Sequence, residues 1–170
     1  MSIITGGLAL VVSILSAWFA WAESKKTRSE RVEDRVREIA LSGVRPLMLG
    51  INSAQFAMDF EEPPTMFTEF ETSGLHELAP RLRRLEDRET VAELAQSIDH
   101  VGAHWVDTMT AWKWWESEKD PNGEGLWQDG PQVDAAFAQF DERRRVFMEK
   151  GEVLLSDIRA LVARIDARYR

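Results

Sequence analysis

The sequence predicts an all-α fold in which a single transmembrane helix precedes a cytosolic helical bundle. The chain opens with an uncharged, mostly apolar run over residues 3–22. Apolar residues then recur at alternating spacings of three and four, the period of a helix packed on one side. Outside the opening run, no segment alternates apolar and polar residues as a half-buried strand does, so we expect no β-sheet.

The opening run has the length and the flanks of a membrane anchor. Twenty helical residues at 1.5 Å each span roughly 30 Å, the thickness of the hydrocarbon layer. Trp18 and Trp21 occupy the last turn, where amphipathic rings favour the headgroup level, and Lys25, Lys26 and Arg28 follow. Because basic flanks remain in the cytoplasm, we expect an inner (plasma) membrane protein with its N-terminus outside and its remainder cytoplasmic.

A cleavable signal peptide is the alternative interpretation of the same run. Residues 20–22, Ala-Trp-Ala, satisfy the small-x-small cleavage pattern. A signal peptide carries its basic residues before the apolar stretch, however, whereas here the basic residues come after it. This order of charges favours the anchor.

Small residues recur along one side of the predicted anchor and could let two such helices pack closely. In lipid, helices associate by close backbone approach, which small side chains permit. The alternative is that such residues are simply common in membrane helices. The candidate association residues are Gly6, Ala9, Ser13, Ser16 and Ala20.

Composition limits the soluble part to one domain and excludes a nucleic-acid partner. The chain carries 29 acidic and 21 basic side chains, a net charge of −8, which repels phosphate backbones. Sixteen of the 21 basic side chains are arginine, as in many GC-rich bacterial sources. The absence of cysteine fits a reducing compartment without requiring one, and we expect no cofactor.

Three shorter elements are expected between the anchor and the C-terminal half. Residues 23–45 continue as a juxtamembrane helical stalk that Pro46 ends or kinks. A second helix follows over residues 47–58. Leucines at positions 75, 78, 82 and 85 predict a third helix, which Pro80 interrupts or restarts.

The strongest pattern predicts a long antiparallel helical hairpin over about residues 88–119 and 132–168. Both segments keep alternating spacings of three and four, and an apolar repeat of that length requires a partner helix along it. Three residues depart from the apolar pattern of the second segment: Arg144, Gly151 and Arg168. The predicted domains are therefore an anchor (1–22), a stalk (23–45) and a bundle (46–170).

Two polar groups are candidates for metal binding. His100, His104 and Asp107 can share one helix face, as metal ligands often do. Asp120, Asn122 and Glu124 precede Gly125 as in the first half of an EF-hand loop, but Pro131 stands where the bidentate glutamate belongs. A solvated helix flank and a hydrated turn are the alternatives, and we expect neither group to bind metal.

Two features of the hairpin suggest contacts beyond the chain. Trp114 lies off the apolar stripe and Trp127 lies in the connecting loop, so these rings could contact a partner or instead cover a small aromatic core. Arg164, Arg168 and Arg170 gather at the tail. They could contact anionic lipid if the last helix returns toward the bilayer.

The functional expectation is a membrane-anchored scaffold that acts through protein–protein contacts, with a protein partner or a second copy of itself. We expect no enzyme activity. The alternatives are a membrane-tethered regulator that responds to a ligand or ion, and a metal-dependent enzyme that uses the His100, His104 and Asp107 group.

Overall fold

All regular secondary structure among the described residues is helical, and these residues contain no strand. The computed structural model describes residues 2–60, 73–123 and 128–168; side chains are not described for residues 2–17, 22, 25, 26, 56, 58–60 and 73. The elements are α1 (Ser2–Ser42), α2 (Val44–Phe60), α3 (Ser73–Leu78), a 3₁₀ turn (Ala79–Arg81), α4 (Leu85–Lys119) and α5 (Pro131–Asp166). The predicted all-α bundle is confirmed.

The first helix joins the N-terminal run to the bundle without a break. Helix α1 continues through the predicted stalk, and Val36 and Ala40 near its end are fully buried. Among the described residues, no helix has both the length and the apolar composition that a membrane crossing needs. That finding gives the predicted transmembrane helix no support, and most side chains of the predicted anchor lie outside the description.

Pro46 neither ends nor kinks the stalk, contrary to the sequence prediction. Helix α1 ends at Ser42, Gly43 is a buried turn residue, and α2 begins at Val44. Pro46 therefore lies in the first turn of α2. A proline is tolerated there because the first backbone N–H groups of a helix have no intrahelical partner.

The leucine stripe over residues 75–85 is not one helix. Helix α3 ends at Leu78, the 3₁₀ turn carries Pro80, and the backbone is extended at Leu82 and Arg84. Leu75 and Leu82 are buried, whereas Leu85 begins α4 and is 68% exposed. The predicted interruption at Pro80 is present, but the fourth leucine does not belong to the core.

The long antiparallel hairpin is present, with α4 and α5 close to the predicted limits. Its main core contains Trp105 against Phe147, with ring centroids 5.0 Å apart. A second, aromatic cluster fills the end that the connecting loop joins. Its buried members are Ala57, Ala111, Trp112, Trp115, Ala136 and Phe140.

Each departure from the apolar repeat of α5 marks a contact with a helix outside the hairpin. Arg144 approaches the carbonyl oxygen of Ala54 on α2 at 3.4 Å. A Cβ on Gly151 would lie 2.9 Å from Cδ1 of Ile51, so glycine lets α2 pack this closely without a shift of the isoleucine side chain. Arg168 lies 3.7 Å from Glu33 of α1. These positions lack apolar side chains because other elements meet α5 there.

Helices α1, α2 and α3 pack on one side of the hairpin. Helix α2 lies mainly against α5, α3 lies against α4, and α1 contacts both α5 and α3. None of these three helices covers the opposite side of the hairpin, which is therefore available for a further contact.

Candidate interaction surface

A groove between α4 and α5 consists of two successive depressions, one lined by residues 107–114 and 139–143 and the other by residues 97–104 and 150–157. His100, Asp107 and Trp114 repeat every seven residues along α4. Arg143, Lys150 and Asp157 do the same along α5. A seven-residue spacing keeps side chains on one strip of paired helices, so these residues flank the apolar seam along its length.

The groove combines an apolar floor with charged edges. No described residue of α1, α2 or α3 lines it. Val153 is 54% exposed and Trp114 is 38% exposed. We refer to this surface as the hairpin groove; its residues are Ser97, His100, His104, Asp107, Ala111, Trp114, Gln139, Arg143, Lys150, Val153 and Asp157.

Trp114 is held in place although its ring is partly exposed. Its indole Nε1 donates a hydrogen bond to Oε1 of Glu118, 3.0 Å away and one turn further along α4. The ring is thus presented with restricted freedom, which lowers the entropic cost of burying it against a partner. Trp112 and Trp115 are buried in the aromatic cluster. Trp127 lies outside the described residues.

The first metal candidate is not assembled. His100 and His104 line the groove beside Lys150 and Asp157, but the Asp107 carboxylate faces Arg143, with Oδ2 and Nη1 3.6 Å apart. Throughout the described ranges, no three histidine, aspartate or glutamate side chains are placed to hold a metal ion. The two imidazoles are part of the groove surface.

The second metal candidate lies in a turn after α4. Asp120 is the C-terminal cap of α4, and the N–H of Gly123 donates to its carbonyl oxygen. Gly123 has φ of 68°, a conformation that glycine adopts without strain. Asn122 is exposed. Glu124 lies outside the described residues.

The candidate membrane-interface residues are exposed where the structure describes them. Trp18, Trp21 and Arg28 are exposed, whereas the Lys25 and Lys26 side chains are not described. Of the candidate helix-association residues, Ala20 is exposed. The others (Gly6, Ala9, Ser13 and Ser16) lie among the residues whose side chains are not described.

The C-terminal arginines form ion pairs that join three helices at the end of the bundle where α1 enters. We call this end, at Glu33, Asp87 and Arg168, the stalk end. Arg168 donates to both oxygens of Asp87, at 2.8 and 2.6 Å, and lies 3.7 Å from Glu33 of α1. The hydrogen bonds to Asp87 raise the pKa of Arg168 above its ordinary value. Arg37 of α1 donates to Asp166 at 2.7 Å.

These ion pairs also suit the helix dipoles. Glu86 and Asp87 lie in the first turn of α4, where the dipole favours negative charge. Arg164 and Arg168 lie at the end of α5, where it favours positive charge. Two of the three tail arginines predicted to contact lipid are therefore engaged within the protein, and Arg170 lies outside the described residues.

Sequence reasoning missed the hairpin groove and the exposed arginines before α4. The groove has a sequence signal, because polar residues repeat every seven positions beside each apolar stripe. The arginines at positions 81, 83 and 84 also form a visible cluster. Only the structure shows that Leu82 between them is buried and that all three side chains are exposed.

Comparison with known proteins identifies no relative. No protein-family model matches the chain, and neither a curated protein nor a solved structure is significantly similar to it.

Proposed function

We propose that this protein is a membrane-anchored helical interaction protein that acts through protein–protein contacts at the cytoplasmic face of a bacterial membrane. The apolar run over residues 3–22 and the basic residues after it support the anchor. The observation that carries the proposal is the continuity of α1 from Ser2 to Ser42. Val36 and Ala40, near the end of α1, are core residues of the bundle. An anchor at the start of α1 would therefore also tether the bundle to the membrane.

The hairpin groove is the proposed contact surface. It offers apolar contacts at Val153 and Trp114, and both signs of charge along its edges. The charged edges would fix the register of a partner helix that carries a complementary charge pattern, and contact with the apolar floor would supply affinity. Anchoring restricts both molecules to the same surface and so raises their effective concentration.

Site-specific photo-crosslinking in intact membranes tests the groove. A photoreactive amino acid replaces Val153 in one variant and Leu49 in a matched control. Leu49 is 57% exposed, close to the 54% of Val153, but lies on α2 away from the groove. We expect a discrete adduct from position 153 and none from position 49. Differently tagged copies show whether the adduct contains a second copy or another protein.

The same membranes test the anchor separately. We expect the unmodified protein to remain with the membrane after alkaline carbonate extraction, and its first residues to be retained. Release by carbonate, or trimming after Ala22, would refute the anchor. Adducts from position 49 as abundant as those from position 153 would refute the groove.

A further inference from the structure

Positive charge is concentrated in the segment that leads into α4, in a chain that is acidic overall. Arg81, Arg83 and Arg84 are all exposed, and Leu85 beside them is 68% exposed. We call residues 81–85 the basic loop. It contains three guanidinium groups and no carboxylate, whereas the whole chain has a net charge of −8.

The basic loop has a defined conformation because one of its residues is a core residue. Leu82 is 2% exposed, and its carbonyl oxygen accepts a hydrogen bond of 2.6 Å from Nε of Arg88. The backbone is extended at Leu82 itself and at Arg84, and the side chains of Arg81, Arg83 and Arg84 are exposed to solvent. The loop therefore presents its arginines together.

The ion pairs at the stalk end show which way the basic loop faces. Arg168 joins Asp87 of α4 to Glu33 of α1, and Arg37 joins α1 to Asp166. Helices α1 and α4 therefore run in the same direction, and both are antiparallel to α5. The start of α4, and the loop before it, lie at the end of the bundle where α1 enters from the N-terminal run.

The basic loop is within electrostatic reach of a bilayer that holds the start of α1. About 18 Å of helix separates Trp21 from Glu33, at 1.5 Å per residue. The headgroup layer occupies about 5–7 Å of that distance, and the loop precedes Asp87 by one turn. The distance that remains between the headgroups and the backbone of the basic loop is about one Debye length at 0.1 M salt. The arginine side chains can shorten this distance further.

Unlike the neighbouring arginines, the arginines of the basic loop form no ion pair with a carboxylate in the described part of the chain. In the described part of the chain, no ion pair involves Arg81, Arg83 or Arg84, whereas Arg164 lies 3.8 Å from Glu86 and Arg168 is bound to Asp87. The exposed Glu86 and Glu89 follow the loop in α4, and neither is paired with one of its arginines. Its charge is available to an external anion.

We propose that the basic loop docks on the headgroups of anionic lipids, with Leu85 at the headgroup boundary. This inference rests on the proposed anchoring of α1, and lipid is the expected partner because the loop lies at the end of the bundle where α1 enters from the N-terminal run. The loop and α1 would attach the bundle at two points. Two points of attachment would fix its tilt, and with it the direction in which the hairpin groove faces.

A fluorophore on the basic loop tests this contact in the full-length protein. The chain has no cysteine, so Leu85→Cys gives one labelling site. The labelled protein is placed in nanodiscs of phosphatidylcholine alone or mixed with phosphatidylglycerol, with a quencher on the lipid headgroups. We expect stronger quenching with phosphatidylglycerol, and loss of the difference in about 1 M salt, where the Debye length is about 3 Å.

Charge removal gives the size of the effect. Each basic residue near an anionic surface contributes about 1 kcal/mol, which corresponds to about a fivefold change in the ratio of docked to undocked protein. Changing Arg81, Arg83 and Arg84 to glutamine should lower that ratio roughly 100-fold and remove the extra quenching. The matched control changes Lys113, Lys119 and Arg145 to glutamine, an equal loss of charge outside the hairpin groove and far from the stalk end, and should keep the extra quenching.

The outcomes separate the lipid contact from the anchor. Protein that does not enter nanodiscs refutes the anchor and, with it, this inference. Protein that enters, but whose label is quenched equally in both lipids, refutes the lipid contact alone. Extra quenching that survives in the Arg81, Arg83 and Arg84 variant also refutes it. Equal losses in the two triple variants would show that net charge, and not the loop, governs the contact.

Discussion

The end of the bundle that carries the loop between α4 and α5 is packed with aromatic rings, whereas the stalk end is joined by ion pairs. Trp112 and Trp115 lie about Phe140, with ring centroids 5.1 and 5.7 Å from it. At the other end Arg168 connects Asp87 and Glu33. Apolar contact is not directional, but a partly buried guanidinium with two carboxylate partners fixes them in one geometry.

The difference suggests separate roles for the two ends. Aromatic burial supplies stability, since each large ring removes 150–250 Å² from water. Buried ion pairs add less net stability because desolvation offsets much of the attraction. Their contribution at the stalk end is to hold α1, α4 and α5 in register where the bundle meets the proposed anchor. The hydrogen bonds to Asp87 raise the pKa of Arg168 above its ordinary value, which favours the charged form that pairs with both carboxylates.

Phe140→Ala should produce the largest loss of stability. Phe140 is fully buried, and replacing a buried phenylalanine with alanine costs about 3–5 kcal/mol because apolar contact is lost and a cavity remains. Urea unfolding followed by circular dichroism measures it. Trp114→Ala is the control and should change stability by less than about 0.5 kcal/mol outside the core. Equal losses would show that the aromatic cluster is not the main stabilising region.

Asp87→Ala should have a smaller effect that is confined to the stalk end. Removing one partner of a buried pair costs about 3–5 kcal/mol, and we expect about 2–3 kcal/mol because the Arg168 side chain is 20% exposed. Hydrogen exchange should increase at the start of α4 and the end of α5.

The matched control for Asp87→Ala is Asp107→Ala, which breaks the exposed pair with Arg143 and should cost at most about 1 kcal/mol. A uniform increase in exchange along the hairpin would contradict a local role for the Asp87 pair. A loss no greater than that of the control would show that the pair is not structurally important.

Gly151→Ala should have the smallest effect, because two terms of opposite sign nearly cancel. Alanine in place of glycine favours a helix by about 0.8–1 kcal/mol. The new Cβ lies 2.9 Å from Cδ1 of Ile51, so α2 or the isoleucine must shift. Adding Ile51→Ala removes both close carbons, Cδ1 at 2.9 Å and Cγ1 at 3.0 Å. The double variant should therefore be more stable than Ile51→Ala alone; a further loss would mean that backbone, and not the isoleucine side chain, limits the approach of α2.

The sequence predicts the hairpin well because its signal is long and local. Eight apolar positions of α5 and the stripe of α4 define both helices to within a few residues. The irregular part is less predictable. Leu85 continues the leucine spacing, yet Pro80 and the extended backbone before α4 break the helical phase, so spacing alone places it in the core incorrectly.

The remaining features that the sequence did not predict depend on contacts between residues that are far apart in the chain. Nothing local to Arg168 indicates that it pairs with Asp87, and nothing local to Gly151 indicates Ile51. The departures from the apolar repeat show that the packing differs at these positions, but they do not identify the residues that pack there. The groove could have been predicted from the hairpin, but which of its sides stays open depends on where α2 and α3 pack.

Cysteine accessibility in intact bacteria tests the central claim that α1 carries the bundle on the cytoplasmic side of the membrane. The cysteine-free chain allows single sites at Ser2→Cys, before the apolar run, and at exposed Asn122→Cys, at the far end of the bundle. A membrane-impermeant maleimide should label position 2 in intact cells and position 122 only after the membrane is permeabilised. Labelling of position 122 in intact cells would contradict the account.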